Sequence, residues 1–97
     1  MSVAEILSEL RRYTALDNES RLQAYLTLCE RPSIAFNELA RRVHVQKGLL
    51  AYHLGVLKAA GLVEVKYQRA SKKTSEYYPT KEGKKLLRKL CPKATKN

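Results

Sequence analysis

The stretch FNELARRVHVQKGLLAYHLGVLKAAGLVEV, Phe36 to Val65, decides how the chain is read. Asn37 stands in an N-cap position ahead of Leu39, Ala40 and Val43, whose spacing predicts a short helix over 38–43. His44-Val45 leaves room only for a tight connection. Gln46 then opens a second helix over 47–60, where Leu50, Leu54 and Leu57 recur at the interval of a buried face. Gly61 ends it, because glycine accepts the left-handed backbone that closes a helix. Beyond it, residues 62–69 turn to β-branched and aromatic side chains in partial alternation, the composition of a strand.

Upstream, Asn18 is an N-cap candidate with Glu19 in the favourable first turn, and Leu22, Tyr25, Leu26 and Cys29 mark a helix over 19–30 that Pro32 stops. Ser33 to Phe36 fits one small strand. Before them, Val3, Ile6, Leu7 and Leu10, with Tyr13 or Thr14, predict a helix over 2–15, started by a Ser2/Glu5 capping box. Downstream, residues 70–75 form a polar, basic turn and Glu76-Tyr77-Tyr78 resumes strand character up to Pro79. Thr80 can cap a last helix over 81–91, with Leu86, Leu87, Leu90 and Cys91, and the tail 92–97 is expected to fray. The expected fold is mainly α with a small β-hairpin, in the order α-α-(β)-α-α-β-β-α, as one domain over 1–91.

The chain has 97 residues, of which 44% are hydrophobic, enough for one modest core. A domain of this size buries a small share of its surface, so a partner subunit would help it. No apolar run approaches the roughly 18 residues of a membrane span, and Glu5 and Glu9 interrupt what would be the apolar core of a leader. Cys29 and Cys91 are too few for a disulfide framework and are not spaced as a metal knuckle, which points to a reducing, cytoplasmic setting. Charge is unevenly placed. Residues 1–40 carry four basic and six acidic side chains, whereas residues 41–97 carry fifteen basic and three acidic ones. Such a basic half attracts a polyanion.

Two close helices joined by a tight turn fit a helix-turn-helix, whose second helix enters a DNA major groove. The residues now reach a family. LDNESRLQAYLTL, then FNELARRVHVQKGLLAYHLGVLKAAGLVEV, then YYPTKEG resemble the winged helix-turn-helix of ArsR/MarR-type prokaryotic transcription regulators. The most specific part is Tyr52-His53-Leu54 with Leu57 and Ala60-Gly61-Leu62-Val63, and the likeness runs from Leu16 to Gly83. The resemblance implies a sequence-specific double-stranded DNA-binding regulator, acting as a homodimer on the nucleoid, that is not an enzyme.

In such a fold the first turn of the second helix faces base edges. Here that turn holds Gln46, Lys47, Gly48 and Leu49, with Tyr52 one turn on. Gln pairs with adenine, Lys with guanine, and Leu touches a thymine methyl. Gly48 lets backbone approach a phosphate or base closely. His53 is either a packing residue or phosphate-directed, and Arg41 and Arg42 are either structural or phosphate contacts. The hairpin would be the wing, with Arg69, Lys72 and Lys73 reaching a minor groove or phosphates. Tyr67, Tyr77 and Tyr78 are expected to pack the sheet.

The terminal helices offer Val3, Ile6, Leu7 and Leu10 on one and Leu86, Leu87 and Leu90 on the other as a two-fold interface. The ArsR-type Cys-x-Cys metal pair is missing, Asn37-Glu38-Leu39-Ala40 standing at its place, and residues 81–91 hold no His or Asp, so no metal or cofactor is expected. No phosphate loop, zinc-protease pattern or catalytic triad spacing is present. Two other classes fit the same residues: a nonspecific DNA-coating protein, and a winged-helix module for protein contact. A redox role for Cys29 or Cys91 is a further option, with Cys91 the more accessible thiol.

Overall fold

Ser2 and Asn18 start the first two helices as their chemistry suggests. In the computed structural model, which describes residues 2–31, 33–67 and 75–92, Ser2 Oγ accepts from the Glu5 N–H at 3.1 Å and Glu5 Oε1 accepts from the Ser2 N–H at 2.8 Å. Asn18 Oδ1 accepts from the Arg21 N–H at 2.9 Å. These caps open α1 (Val3–Ala15) and α2 (Glu19–Glu30). The chain continues through β1 (Ile34–Ala35), α3 (Phe36–Val43), α4 (Lys47–Ala59), β2 (Val63–Tyr67), β3 (Ser75–Pro79) and α5 (Lys81–Leu90). Among the described residues, five helices and a three-stranded antiparallel sheet of order β1-β3-β2 make a mainly helical, winged helix-turn-helix architecture. Pro32, the expected stop of α2, and the tail from residue 93 lie outside the described residues.

The turn between α3 and α4 uses the backbone freedom of one residue. His44 adopts φ 61° and ψ 43°, and its N–H donates to the Ala40 carbonyl at 3.0 Å. Histidine is among the side chains that tolerate this left-handed region. Gly61 does the same after α4, at φ 79°.

Asn37 does not cap α3. The helix begins at Phe36 with Ala35 in the cap position and no side-chain cap bond. The cause is sheet pairing: Ala35 stands opposite Glu76 and Ile34 opposite Tyr77, so the extended chain runs straight from strand into helix. Tyr77 therefore lies between Ile34 on one side and Val65 on the other. Phe36 packs a tilted ring against Tyr77, with centroids 6.2 Å apart.

The core is built around α2, which packs on α3, α4 and β3. Tyr25, Leu28, Leu39, Leu50, Leu57, Leu62 and Val63 are fully buried. α5 is stitched to the turn after α4. Thr80 Oγ1 donates to the Gly61 carbonyl at 2.6 Å and accepts from the Gly83 N–H at 2.9 Å, while the Thr80 N–H donates to the Leu62 carbonyl at 3.0 Å. The Tyr25 hydroxyl donates to the Gly83 carbonyl. These bonds turn Gly83 and Leu86 inward. Leu86 is thus a core residue, only 4% exposed, and not the interface residue expected from sequence. Leu87 packs partly on the same core and Leu90 stays exposed.

α1 is held differently. Arg12 reaches Glu82 at 3.7 Å and Lys89 reaches Glu9 at 3.7 Å, which lays α1 beside α5. Ala15 is its buried residue, whereas Val3 is 72% exposed and Leu10 53%, with Ile6, Leu7 and Tyr13 also exposed.

Candidate nucleic-acid interface

α4 sorts its side chains cleanly. Leu50, His53, Leu54 and Leu57 face inward. Gln46, Lys47, Gly48, Leu49 and Tyr52 are exposed, Tyr52 by 60%. Further along, Gly55 and Ala59 continue the outward face with small residues. A Cβ added at Gly48 or Gly55 would meet nothing within 4 Å. The first turn of α4 carries no acidic residue, so its free N–H groups and the positive helix end stay available to an anion. An outward face this slim lets the backbone sit close to a groove floor.

Of the two readings of His53, packing holds and the phosphate contact does not. His53 is 3% exposed and cannot reach a phosphate. Its Nδ1 accepts from Arg21 Nε at 3.2 Å, a pairing that requires the neutral ring. Burial, and then the charge of Arg21, hold the His53 pKa below its usual value.

Arg21 is the residue that sequence reasoning missed. Besides His53, its Nη1 donates to the Ala15 carbonyl at 3.1 Å, and its guanidinium lies over the Tyr52 ring, 5.7 Å from the centroid. One side chain of α2 thereby ties the end of α1 to the outward and inward faces of α4. One of four arginines in the acidic half of the sequence carries no signal of this. The pairing spans 32 residues.

Arg41 and Arg42 end α3, exposed, and both pair with Glu38: Arg41 Nη2 with Oε1, and Arg42 Nε with Oε2 at 3.0 Å. The two guanidinium groups hold the Glu38 carboxyl below the usual carboxylate range. The cluster keeps one net positive charge, beside the helix-turn-helix.

The base of the hairpin is set by pairing of Val63 with Pro79 through Tyr67 with Ser75. The expected wing contacts Arg69, Lys72 and Lys73 lie outside the described residues. Cys29 and Cys91 are both free. Burial pushes the Cys29 thiol up to about 11, which keeps it a protonated, unreactive thiol near neutral pH. Among the described residues no group of three His, Cys, Asp or Glu side chains could hold a metal ion, and no helix is long and apolar enough to cross a membrane.

Residues 17–64 match the family described as winged helix-turn-helix DNA-binding. No curated protein sequence matches the chain. Among solved structures, the chain is similar to HlyU from Vibrio cholerae N16961, at 25% identity and a TM-score of 0.75 over 95% of this chain and 100% of that one. It is similar to the transcriptional regulator HlyU from Vibrio vulnificus CMCP6, at 26% identity and a TM-score of 0.69 over 90% and 84%. NolR from Sinorhizobium fredii shares the fold, at 24% identity and a TM-score of 0.77 over 95% and 92%.

Proposed function

We propose that the chain is a winged helix-turn-helix DNA-binding protein and not an enzyme, a transcriptional regulator that reads a specific double-stranded sequence as a homodimer; the match of residues 17–64 to that family and the likeness to HlyU support this. One observation carries this reading. The first turns of α4 bury one apolar side and leave Gln46, Lys47, Gly48, Leu49 and Tyr52 exposed. Gln46 and Lys47 supply hydrogen bonds to base edges, Leu49 supplies contact with a thymine methyl, and Tyr52, braced by Arg21, meets the backbone. Arg41 and Arg42, with Arg69, Lys72 and Lys73 of the wing, grip phosphates on either side.

Residues 1–91 act as one unit, working in the cytoplasm on the nucleoid. Two copies meet through Val3, Ile6, Leu7 and Leu10, with Leu87 and Leu90 alongside. The support is the exposed apolar stripe on α1, which nothing else in the chain covers among the described residues. Burying the exposed halves of four such side chains contributes about 1 kcal/mol each. A two-fold pair presents two reading helices, which suits half-sites about one helical turn apart.

Base-by-base binding measurements test the assignment of roles. Gln46→Ala or Lys47→Ala should relax preference at one or two base pairs. Lys72→Ala or Lys73→Ala should weaken all sequences alike and flatten the salt slope by roughly one each. Equal losses on operator and random DNA for both groups would count against it. The small outward residues Gly48, Ala51 and Gly55 favour a second reading, a DNA-coating protein with little base discrimination. That reading predicts no preference in the same assay.

A further inference from the structure

α5 separates its residues as sharply as α4 does, but the exposed side is entirely cationic. Lys81, Lys84, Lys85 and Arg88 recur at intervals of three and four and are all exposed, while Gly83 and Leu86 on the other side are buried. The acidic Glu82 pairs with Arg12, and Lys89 with Glu9. No ion pair reaches the four outward cations among the described residues. Two other elements extend the patch. Lys84 lines a groove of about 280 Å³ together with Lys66 of β2. Lys81 lines one of about 530 Å³ with Lys58 of α4, where Glu64 and Glu82 supply the acidic side. Lys58 and Lys66 thus each share a groove with a cation of α5, and Glu64, Glu82 and, opposite Lys66 on β3, Glu76 stand at the edge of the patch.

This side is remote from the reading end. Lys58 follows Lys47 by eleven residues, about 16 Å along α4. With the first turn of α4 on base edges, in a groove about 8.5 Å deep, the patch stands clear of that duplex.

We propose that α5, with Lys58 and Lys66, is a second surface for the phosphate backbone of duplex DNA, so that one molecule holds two DNA segments at once. The proposal rests on the DNA-binding reading above. A row of lysines without hydrogen-bond acceptors or exposed aromatic rings on α5 recognises charge and not sequence. A lipid surface fits less well, because Leu86 and Leu87 of α5 pack on the protein's own core and the exposed Leu90 lies on the far side of the helix from the cations.

The test is capture of a second duplex. A duplex is fixed to beads, the full chain is added, and a labelled duplex of unrelated sequence is offered at ~50 and ~200 mM salt. The wild type should retain the labelled duplex. With four phosphates engaged, retention should fall roughly 100-fold between the two salt concentrations. A chain carrying Lys81→Gln, Lys84→Gln, Lys85→Gln and Arg88→Gln together should lose capture and still shift a single duplex. Glutamine is a good helix former, and circular dichroism reports whether the variant keeps its fold. Undiminished capture by this variant would assign bridging to the paired reading helices and overturn the proposal. Single-duplex binding by the wild type without capture would overturn it alone. Binding to phosphatidylserine vesicles without capture would give the face to a lipid and also overturn it. Failure to bind any duplex would sink this proposal and the DNA-binding reading together.

Discussion

Replacing Gly83 with alanine should unseat α5. A Cβ there would stand closer than 3.0 Å to the Leu62 carbonyl oxygen and 3.2 Å from its carbonyl carbon. The obstacle is backbone, so no rotamer change relieves it. Leu62 is itself fully buried, and its carbonyl accepts from the Thr80 N–H at 3.0 Å. The bond from the Tyr25 hydroxyl to the Gly83 carbonyl pins the helix from the other side. Either α5 or the turn between α4 and β2 must shift by on the order of 1 Å, and overpacking of this kind costs about 1–3 kcal/mol. For a domain of this size each kcal/mol moves Tm by roughly 4–8 °C. Gly55→Ala is the control. Its Cβ would meet nothing within 4 Å, so helix propensity should raise stability by about 1 kcal/mol. Thermal and urea unfolding followed by circular dichroism measure both. The reasoning fails if Gly83→Ala melts within about 2 °C of the wild type, or if the two substitutions move Tm in the same direction.

The other expectations follow from single contacts. The folded-state pKa of His53 lies below the ordinary 6.5, so the unfolded chain takes up the proton first. Its contribution to stability is present above about pH 6.5 and is lost as pH falls through the folded value. His53→Gln should flatten that slope in urea melts from pH 7.5 to 5, and an unchanged slope would clear His53 of the effect. Arg21→Ala leaves buried Nδ1 without its donor and should cost about 1–3 kcal/mol. It should also weaken DNA binding through Tyr52, and fluorescence anisotropy with unchanged affinity would refute that part. Leu10→Asp should yield a folded monomer in sedimentation velocity and lower operator affinity, whereas an intact dimer would move the interface away from α1. Cys29 should resist alkylation near neutral pH while Cys91 reacts, and mass spectrometry of the labelled chain reads this directly.

Much of the architecture was legible because the sequence states it locally. Ser2, Asn18 and Thr80 are cap residues that bond within three positions of themselves. Gly61 marks a left-handed turn by its identity alone. The buried interval Leu50, Leu54, Leu57 gives the inward side of α4 and leaves Gln46 to Leu49 outside. What stayed illegible depends on contacts distant in sequence. Asn37 looked like a cap because nothing near it reveals that Ala35 pairs with Glu76. Leu86 looked free because the bonds that rotate α5 come from Tyr25, Gly61 and Leu62. His53 looked available to a phosphate because its partner Arg21 sits on another helix. The outward cations of α5 were visible as a charge excess, but not as one face continuous with Lys58 and Lys66.

The central claim is that the exposed first turn of α4 reads a specific duplex. A competition gel shift tests it most directly, using DNA from upstream of the protein's own coding sequence and a scrambled duplex of equal length, at ~50 and ~200 mM salt. The account predicts discrete complexes on the upstream DNA that survive the scrambled competitor at the higher salt, and a weaker preference in Lys47→Ala. Smeared binding to both duplexes that vanishes together as salt rises would contradict it.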